Sequence, residues 1–154
     1  MNRNGVDAYR ETDVMTADPK RLVIMCYEGA ISNLKLAKKK YLTGEYEAKA
    51  KALQKAEDIL DELLCALDLE KGGKIAENLR ALYIFMRRRI VEGDANREVG
   101  ILDEVTSMLE ELKHAWEEIF YGTNKDLADS VALRVSDQSA NHDISMTHRP
   151  LGTL

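Results

Sequence analysis

The stretch of residues 96–122, NREVGILDEVTSMLEELKHAWEEIFYG, carries apolar side chains at helical spacing along most of its length. Its apolar positions recur every three or four residues and share one face when successive residues are placed about 100° apart. They are Ile101, Leu102, Val105, Met108, Leu109, Leu112, Trp116, Ile119 and Phe120. Gly122 ends the pattern. The stretch predicts an amphipathic helix, whose apolar face has to pack against other elements.

Three more segments with helical periodicity precede this one. Asp18 and Pro19 open the first, because an Asp before a helix accepts hydrogen bonds from free amides and Pro at the first position loses no needed donor. Gly44, Gly72-Gly73 and Gly93 fall where the three patterns fade. The predicted helices cover about residues 19–42, 45–69 and 74–92, followed by the fourth from about residue 96.

The composition favours helices packed on helices. The chain of 154 residues is 45% hydrophobic and 32% charged, with only nine Gly, two Pro and two Phe. Short connections force neighbouring helices to run antiparallel. The sequence predicts an all-α, antiparallel up-down four-helix bundle over residues 16–122, with an N-terminal arm at 1–15. A mostly disordered C-terminal tail follows at 123–154, with a pattern for one short helix around 126–135.

Several functional classes are disfavoured by charge and hydropathy. The formal charge of −5 argues against a nucleic-acid partner, because nucleic-acid-binding domains usually gather positive charge on one face. No apolar run approaches the roughly 20 residues that span a bilayer, and the N-terminal residues lack the apolar stretch of a signal peptide. We expect a cytosolic protein without membrane insertion.

No arrangement of residues indicates catalysis or metal binding. Glu111 and His114 match the E-x-x-H spacing of ferritin-like metal bundles, but His114 falls about 180° from Val105, away from the core, and no second E-x-x-H exists. Cys26 and Cys65 form no CxxC pair. We therefore expect no enzyme activity, no metal and no cofactor, and a metal-containing bundle enzyme remains the rival hypothesis.

Two predicted helices carry apolar or small residues opposite their core faces. On the first helix these positions are Leu22, Met25, Gly29, Ser32 and Leu36. On the third helix they are Ile84 and Val91, which stand among Arg80, Arg87 and Arg88. Such strips suit a partner's amphipathic helix, whose carboxylates or carbonyls would meet the Arg rim. The alternatives are that single exposed apolar residues are ordinary surface, or that the strips pair with each other in a homodimer.

The first predicted helix resembles a known family. Its opening, Thr16-Ala17-Asp18-Pro19, Leu22 and the run Met25-Cys26-Tyr27-Glu28-Gly29-Ala30-Ile31, resembles the flagellar secretion chaperone (FliS) family, in which a T-A-S-P cap leads into an M-L-Y-D-G-A helix. Cys26 replaces the usual Leu. Asp18 replaces Ser, which preserves the capping acceptor.

A second block is similar to that family's third and fourth helices. It comprises Asn78-Leu79, Leu82-Tyr83, Met86, Arg88-Arg89, Ile101-Leu102-Asp103-Glu104-Val105 and the run from Leu112 to Trp116. The likeness extends from about residue 9 to residue 120. The tail after Gly122 is longer than the family pattern leads us to expect.

The resemblance implies a cytoplasmic chaperone that binds the C-terminal segment of flagellin, prevents its premature polymerisation and supports delivery to the flagellar export apparatus. It further implies a component of the export gate as a partner, and it leaves room for a co-chaperone. Tyr9 matches the family's arm tyrosine, and the family's arm can fold over the client pocket when no client is bound.

These observations define a set of candidate client-binding residues. We expect the two apolar strips to contact flagellin, and Tyr9 and Val14 of the arm to cover part of that surface in the free state. The candidates are Tyr9, Val14, Leu22, Met25, Gly29, Leu36, Ile84, Arg88 and Val91.

Overall fold

The structure, a computed structural model, describes residues 18–122. Within these residues four helices follow one another: α1 (Pro19–Leu42), α2 (Tyr46–Cys65), α3 (Leu69–Asn96) and α4 (Gly100–Tyr121). Each helix packs against the next, and α4 packs against α1. Because the connections 43–45, 66–68 and 97–99 are short, neighbouring helices run antiparallel. The predicted all-α four-helix bundle is confirmed, while the predicted arm and tail lie outside the described residues.

The ends of α1 lie where the sequence predicts them. The Asp18 carboxylate accepts a hydrogen bond from the backbone N–H of Arg21 at 2.8 Å, and Pro19 is the first helical residue. At the other end Gly44 adopts a φ of 77°, a left-handed conformation that Gly reaches without steric cost. Local capping chemistry is therefore sufficient to set both ends of this helix.

The connection between α2 and α3 differs from the prediction. The predicted second helix continues to about residue 69 and the third begins at 74, whereas α2 ends at Cys65 and α3 begins at Leu69. The cause is Asp68, whose carboxylate accepts hydrogen bonds from the backbone N–H groups of Glu70 and Lys71 at 3.1 and 3.0 Å. Asp68 therefore caps a new helix where the apolar pattern alone suggests continuation.

The connection between α3 and α4 also lies later than predicted. Gly93 does not end α3, because it packs against α4: an added Cβ would lie 2.9 Å from the Ile101 Cβ. The chain turns at Arg97, which has a φ of 58°, and α4 then starts at Gly100. Close helix packing, and not helix termination, accounts for Gly93.

The core is built from the predicted inward faces of all four helices. Its largest fully buried side chains are Tyr27, Tyr83, Ile24, Leu34, Leu60, Leu79, Leu82, Met86, Ile90, Leu109 and Val105. Small residues line the contact between α1 and α2, where Ala30, Ala52 and Ala56 are buried. On the bundle surface Arg89 of α3 forms an ion pair with Glu104 of α4 at 2.8 Å. The inward faces of all four helices thus meet in one hydrophobic core.

Candidate functional site

An apolar cleft of about 350 Å³ opens at the end of the bundle where α2 passes into α3. We call it the end cleft, and its volume is in the range of about 300–1,000 Å³ that ligand pockets occupy. All four helices and the 66–68 connection contribute to its lining. The lining residues are Val23, Leu63, Ala66, Leu67, Asp68, Lys71, Gly72, Ile75, Ala76, Leu79, Tyr83, Trp116 and Phe120.

Two adjacent glycines shape one wall of the end cleft. Gly73 has a φ of 53° and a ψ of −133°, and this non-helical conformation kinks α3 after its first turn. At Gly72 an added Cβ would lie 2.6 Å from the Ala76 Cβ, closer than real side chains approach. Both positions require Gly, one for backbone conformation and the other for space.

Aromatic side chains form another part of the lining of the end cleft. Trp116 and Phe120 lie four residues apart on α4, and their rings stack with centroids 5.2 Å apart. Both side chains are half-buried, and they face the end cleft together with Tyr83. Large flat apolar surfaces of this kind are common anchors in protein recognition.

A hydrogen-bonded triad lies beneath this part of the lining. The hydroxyls of Tyr27 and Tyr83 are 2.5 Å apart, and the Trp116 indole N–H donates to the Tyr27 hydroxyl at 3.0 Å. Burial raises the pKa of Tyr83 to about 12 and holds the pKa of Tyr27 well above its usual value of 10.0. Both phenols therefore keep their protons at physiological pH, where they take part in the hydrogen bonds of the triad.

A second apolar surface, the α2–α3 groove, runs between those two helices. Its lining consists of Asp61, Leu64, Ile84, Arg87, Arg88 and Val91. Ile84 is 41% exposed and Val91 is 48% exposed, as expected for outward-facing residues. The Arg87 Nε lies 2.8 Å from an Asp61 carboxylate oxygen, whereas Arg88 is exposed. The groove brings together three predicted client-binding residues: Ile84, Arg88 and Val91.

The predicted strip on α1 has a mixed environment. Leu36 is 43% exposed, while Leu22 and Met25 are half-buried. Gly29 faces α2, because an added Cβ would lie 3.1 Å from the Ile59 Cδ1. Packing within the chain accounts for this glycine, and its contact with a client stays a prediction. Tyr9 and Val14 lie outside the described residues.

The sequence prediction contains no cleft at this end of the bundle. It assigns Trp116 and Phe120 to the core face of the fourth helix and places Gly72-Gly73 where the second helical pattern fades. One available signal is the aromatic pair at the end of an amphipathic helix, and another is the capping Asp68 before two adjacent glycines. The distance between the aromatic pair and the segment 68–73 depends on how all four helices pack. A local sequence pattern contains no information on that packing.

Other kinds of site receive no support within residues 18–122. No group of three or more His, Cys, Asp and Glu side chains in this range could hold a metal ion. His114 is exposed, and its Nε2 lies 3.0 Å from a Glu118 carboxylate oxygen on the same helix. Among the described helices, none combines the length and the apolar character needed to cross a membrane.

Comparison with known proteins identifies close similarities over the bundle. Residues 2–123 match the model of a family described as "Flagellar protein FliS". The chain is 38% identical over 121 residues to the flagellar secretion chaperone FliS of Salmonella typhimurium, covering 75% of this chain and 90% of that relative. It is 35% identical over 121 residues to FliS of Vibrio cholerae, with coverage of 76% and 89%. FliS of Bacillus subtilis is 29% identical over 124 residues, with coverage of 80% and 92%.

Proposed function

The chain belongs to the FliS family of flagellar secretion chaperones, and on this premise we propose that it binds the C-terminal segment of flagellin in the bacterial cytosol. In this role it prevents premature polymerisation and supports delivery to the flagellar export apparatus. It acts by binding alone and catalyses no reaction. A component of the export gate and a co-chaperone are further proposed partners, and family membership is the support for both.

The exposed apolar surface is the observation that supports client binding. The end cleft offers concave apolar walls, and the α2–α3 groove offers Ile84 and Val91 beside Arg88. Ile84 and Val91 are seven residues apart, so they lie about 10 Å apart along one face of α3. An amphipathic client helix can cover both residues with its apolar side. Its carboxylates or carbonyl oxygens can then accept hydrogen bonds from Arg88.

Burial of the client's apolar residues explains how binding blocks assembly. Apolar side chains that are covered by the chaperone are not available for contacts between flagellin subunits. A client segment that folds on binding loses conformational entropy, so an extensive contact surface is needed for useful affinity. Two separate apolar surfaces on one small bundle meet that requirement better than either surface alone.

Aspartate substitutions on the outward faces test this proposal. We expect Ile84→Asp to weaken binding of a flagellin C-terminal segment at least tenfold, or about 1.4 kcal/mol, because a charge would be buried against the client. Met25→Asp should act in the same direction. Titration calorimetry gives the affinities. Circular dichroism should stay helical in both variants, and the melting temperature should change little in Ile84→Asp, whose side chain is 41% exposed.

Leu42→Asp is the matched control, because Leu42 is 67% exposed, lines neither surface and does not belong to the predicted strip on α1. It should bind flagellin like the unmodified chain. Unchanged affinity in both Ile84→Asp and Met25→Asp would rule out the outward faces as the client site. A free protein with the mass of a dimer, unaltered by flagellin, would favour the homodimer hypothesis instead.

A further inference from the structure

The sequence continues for 32 residues after Gly122. The family match ends at residue 123, and the Salmonella relative is covered over 90% of its length by only 75% of this chain. This C-terminal segment therefore lies beyond what the family membership explains. It begins next to the end cleft, because α4 ends at Tyr121 and Phe120 lines the cleft.

The segment carries one short amphipathic pattern. Leu127, Val131 and Val135 are four residues apart, so in a helix they would share one face. Ala128 and Ala132 would both lie on one side of that face. Leu133 would point about 160° away from the middle of this face. A narrow apolar ridge of this kind suits a cleft with apolar walls.

The distance along the chain permits the contact. Five residue steps separate Gly122 from Leu127, and an extended chain of that length spans at most about 18 Å. Because the segment is covalently attached at the cleft, its effective concentration is on the order of millimolar. At that concentration, apolar contacts with a dissociation constant of about 0.1 mM would keep the cleft about nine-tenths occupied.

We propose that residues 127–135 dock in the end cleft of the same chain and compete there with the client. Docking in the cleft does not depend on the client's identity, whereas the competition rests on the function proposed above. A client has to displace the segment, so its apparent affinity falls in proportion to the occupied fraction. The segment thereby lowers the affinity of any client that binds in the end cleft alone. A client that also contacts the α2–α3 groove has additional binding energy with which to displace the segment.

Trp116 provides a direct measurement, because it is the single Trp of the chain and lines the end cleft. In the full chain, Val131→Asp should shift Trp116 emission to the red and increase its acrylamide quenching constant about twofold. Leu133→Asp is the matched control, since it introduces the same charge on the opposite face, and it should resemble the unmodified chain. Equal quenching in Val131→Asp and the unmodified chain would overturn the proposal.

Photo-cross-linking tests the location independently of the N-terminal arm. A benzoylphenylalanine introduced at position 131 of the full chain should form intramolecular adducts with lining residues such as Leu67, Ile75 or Phe120. Mass spectrometry of the digested protein identifies the adduct. Adducts confined to residues outside the end cleft would overturn the proposal, whatever the fluorescence shows.

The two proposals fail in different ways. If the segment competes with the client, Val131→Asp should bind a flagellin C-terminal segment about tenfold more tightly than the unmodified chain. A Trp116 response with no flagellin binding to any variant would leave the docking in place and reject the proposed function. Flagellin binding with no Trp116 response would reject the docking and leave the proposed function in place. A Trp116 response with unchanged flagellin affinity would refute the competition.

Discussion

At the scale of single residues, the Tyr27 hydroxyl connects two other polar groups. It accepts a hydrogen bond from Trp116 and shares another with Tyr83, although both tyrosines are almost fully buried. The triad therefore joins α1, α3 and α4 beneath the end cleft. The hydrogen bond from the Trp116 indole N–H to the buried Tyr27 hydroxyl restricts the orientation of the indole ring in the end cleft.

The triad predicts unequal effects of removing its two hydroxyls. Tyr27→Phe leaves both the Tyr83 hydroxyl and the Trp116 N–H without this partner, so we expect a loss of about 2–3 kcal/mol in the free energy of unfolding. Tyr83→Phe removes one bond and should cost about 1 kcal/mol. Urea unfolding measures both, with the exposed Tyr121→Phe as the control. A larger loss in Tyr83→Phe than in Tyr27→Phe would contradict the arrangement of bonds.

The buried tyrosines also predict a loss of stability in alkali. Burial raises the pKa of Tyr83 to about 12, whereas an unfolded tyrosine has a pKa near 10. Above pH 10 the unfolded state loses protons that the folded state retains, so the free energy of unfolding falls as pH rises toward 12. Each such tyrosine contributes a slope of about 1.4 kcal/mol per pH unit.

Urea unfolding between pH 9 and 11.5 checks this expectation. Tyr83→Phe should reduce the slope by about 1.4 kcal/mol per pH unit, because it removes one tyrosine that stays protonated longer in the folded state than in the unfolded one. Identical slopes in the unmodified chain and Tyr83→Phe would mean that Tyr83 ionises as readily in the folded state as in the unfolded one.

At the scale of the element, α3 departs most from a regular helix. Its first turn is capped by Asp68, and the kink at Gly73 separates this turn from the rest of the helix. The backbone conformation at Gly73 is accessible almost only to Gly. Because the first turn lines the end cleft, this one backbone geometry affects both the stability of the helix and the shape of the cleft.

A pair of Gly substitutions isolates the contribution of the kink. Gly73→Ala should lower the free energy of unfolding by about 1–3 kcal/mol, because the strained conformation excludes a Cβ. Gly100→Ala is the control, since Gly100 has an ordinary φ and open space around it, and it should be neutral or slightly stabilising. Equal stability of Gly73→Ala and the unmodified chain, measured by urea unfolding, would show that the kink is not required.

At the scale of the whole molecule, the two apolar surfaces are separate. No residue lines both the end cleft and the α2–α3 groove. One client segment that wraps the bundle can occupy both, and its total affinity then comes from two independent sets of anchors. This arrangement also explains why a competitor in the end cleft would weaken client binding without abolishing it.

Independence of the two surfaces predicts additive effects on flagellin binding. Phe120→Ala in the end cleft and Ile84→Asp in the groove should each weaken binding, and the double variant should show the sum of their free energies within about 0.5 kcal/mol. Titration calorimetry on the four proteins gives the comparison. A coupling energy well above that value would indicate that the client contacts the two surfaces as one site.

Local chemistry made several features predictable from the sequence. The amphipathic stripes determined the four helices and most of the core, because the burial of one face repeats with the helical period. Asp18, Pro19 and Gly44 set the ends of α1 in the same local way. The outward positions of Ile84 and Val91 followed from the stripe on α3. The resemblance in the first helix, together with that in the third and fourth helices, identified the family, which the comparisons confirm.

The remaining features depended on the tertiary structure. The end cleft requires the kink at Gly73, the cap at Asp68 and the aromatic pair on α4 to come together, although they are far apart in sequence. The environment of Gly29 was likewise decided by its contact with Ile59 on α2. The spacing of apolar residues in the sequence shows which side of a single helix is apolar. Only packing decides whether that side is covered by another helix, closed into the core or left open as a surface for a partner.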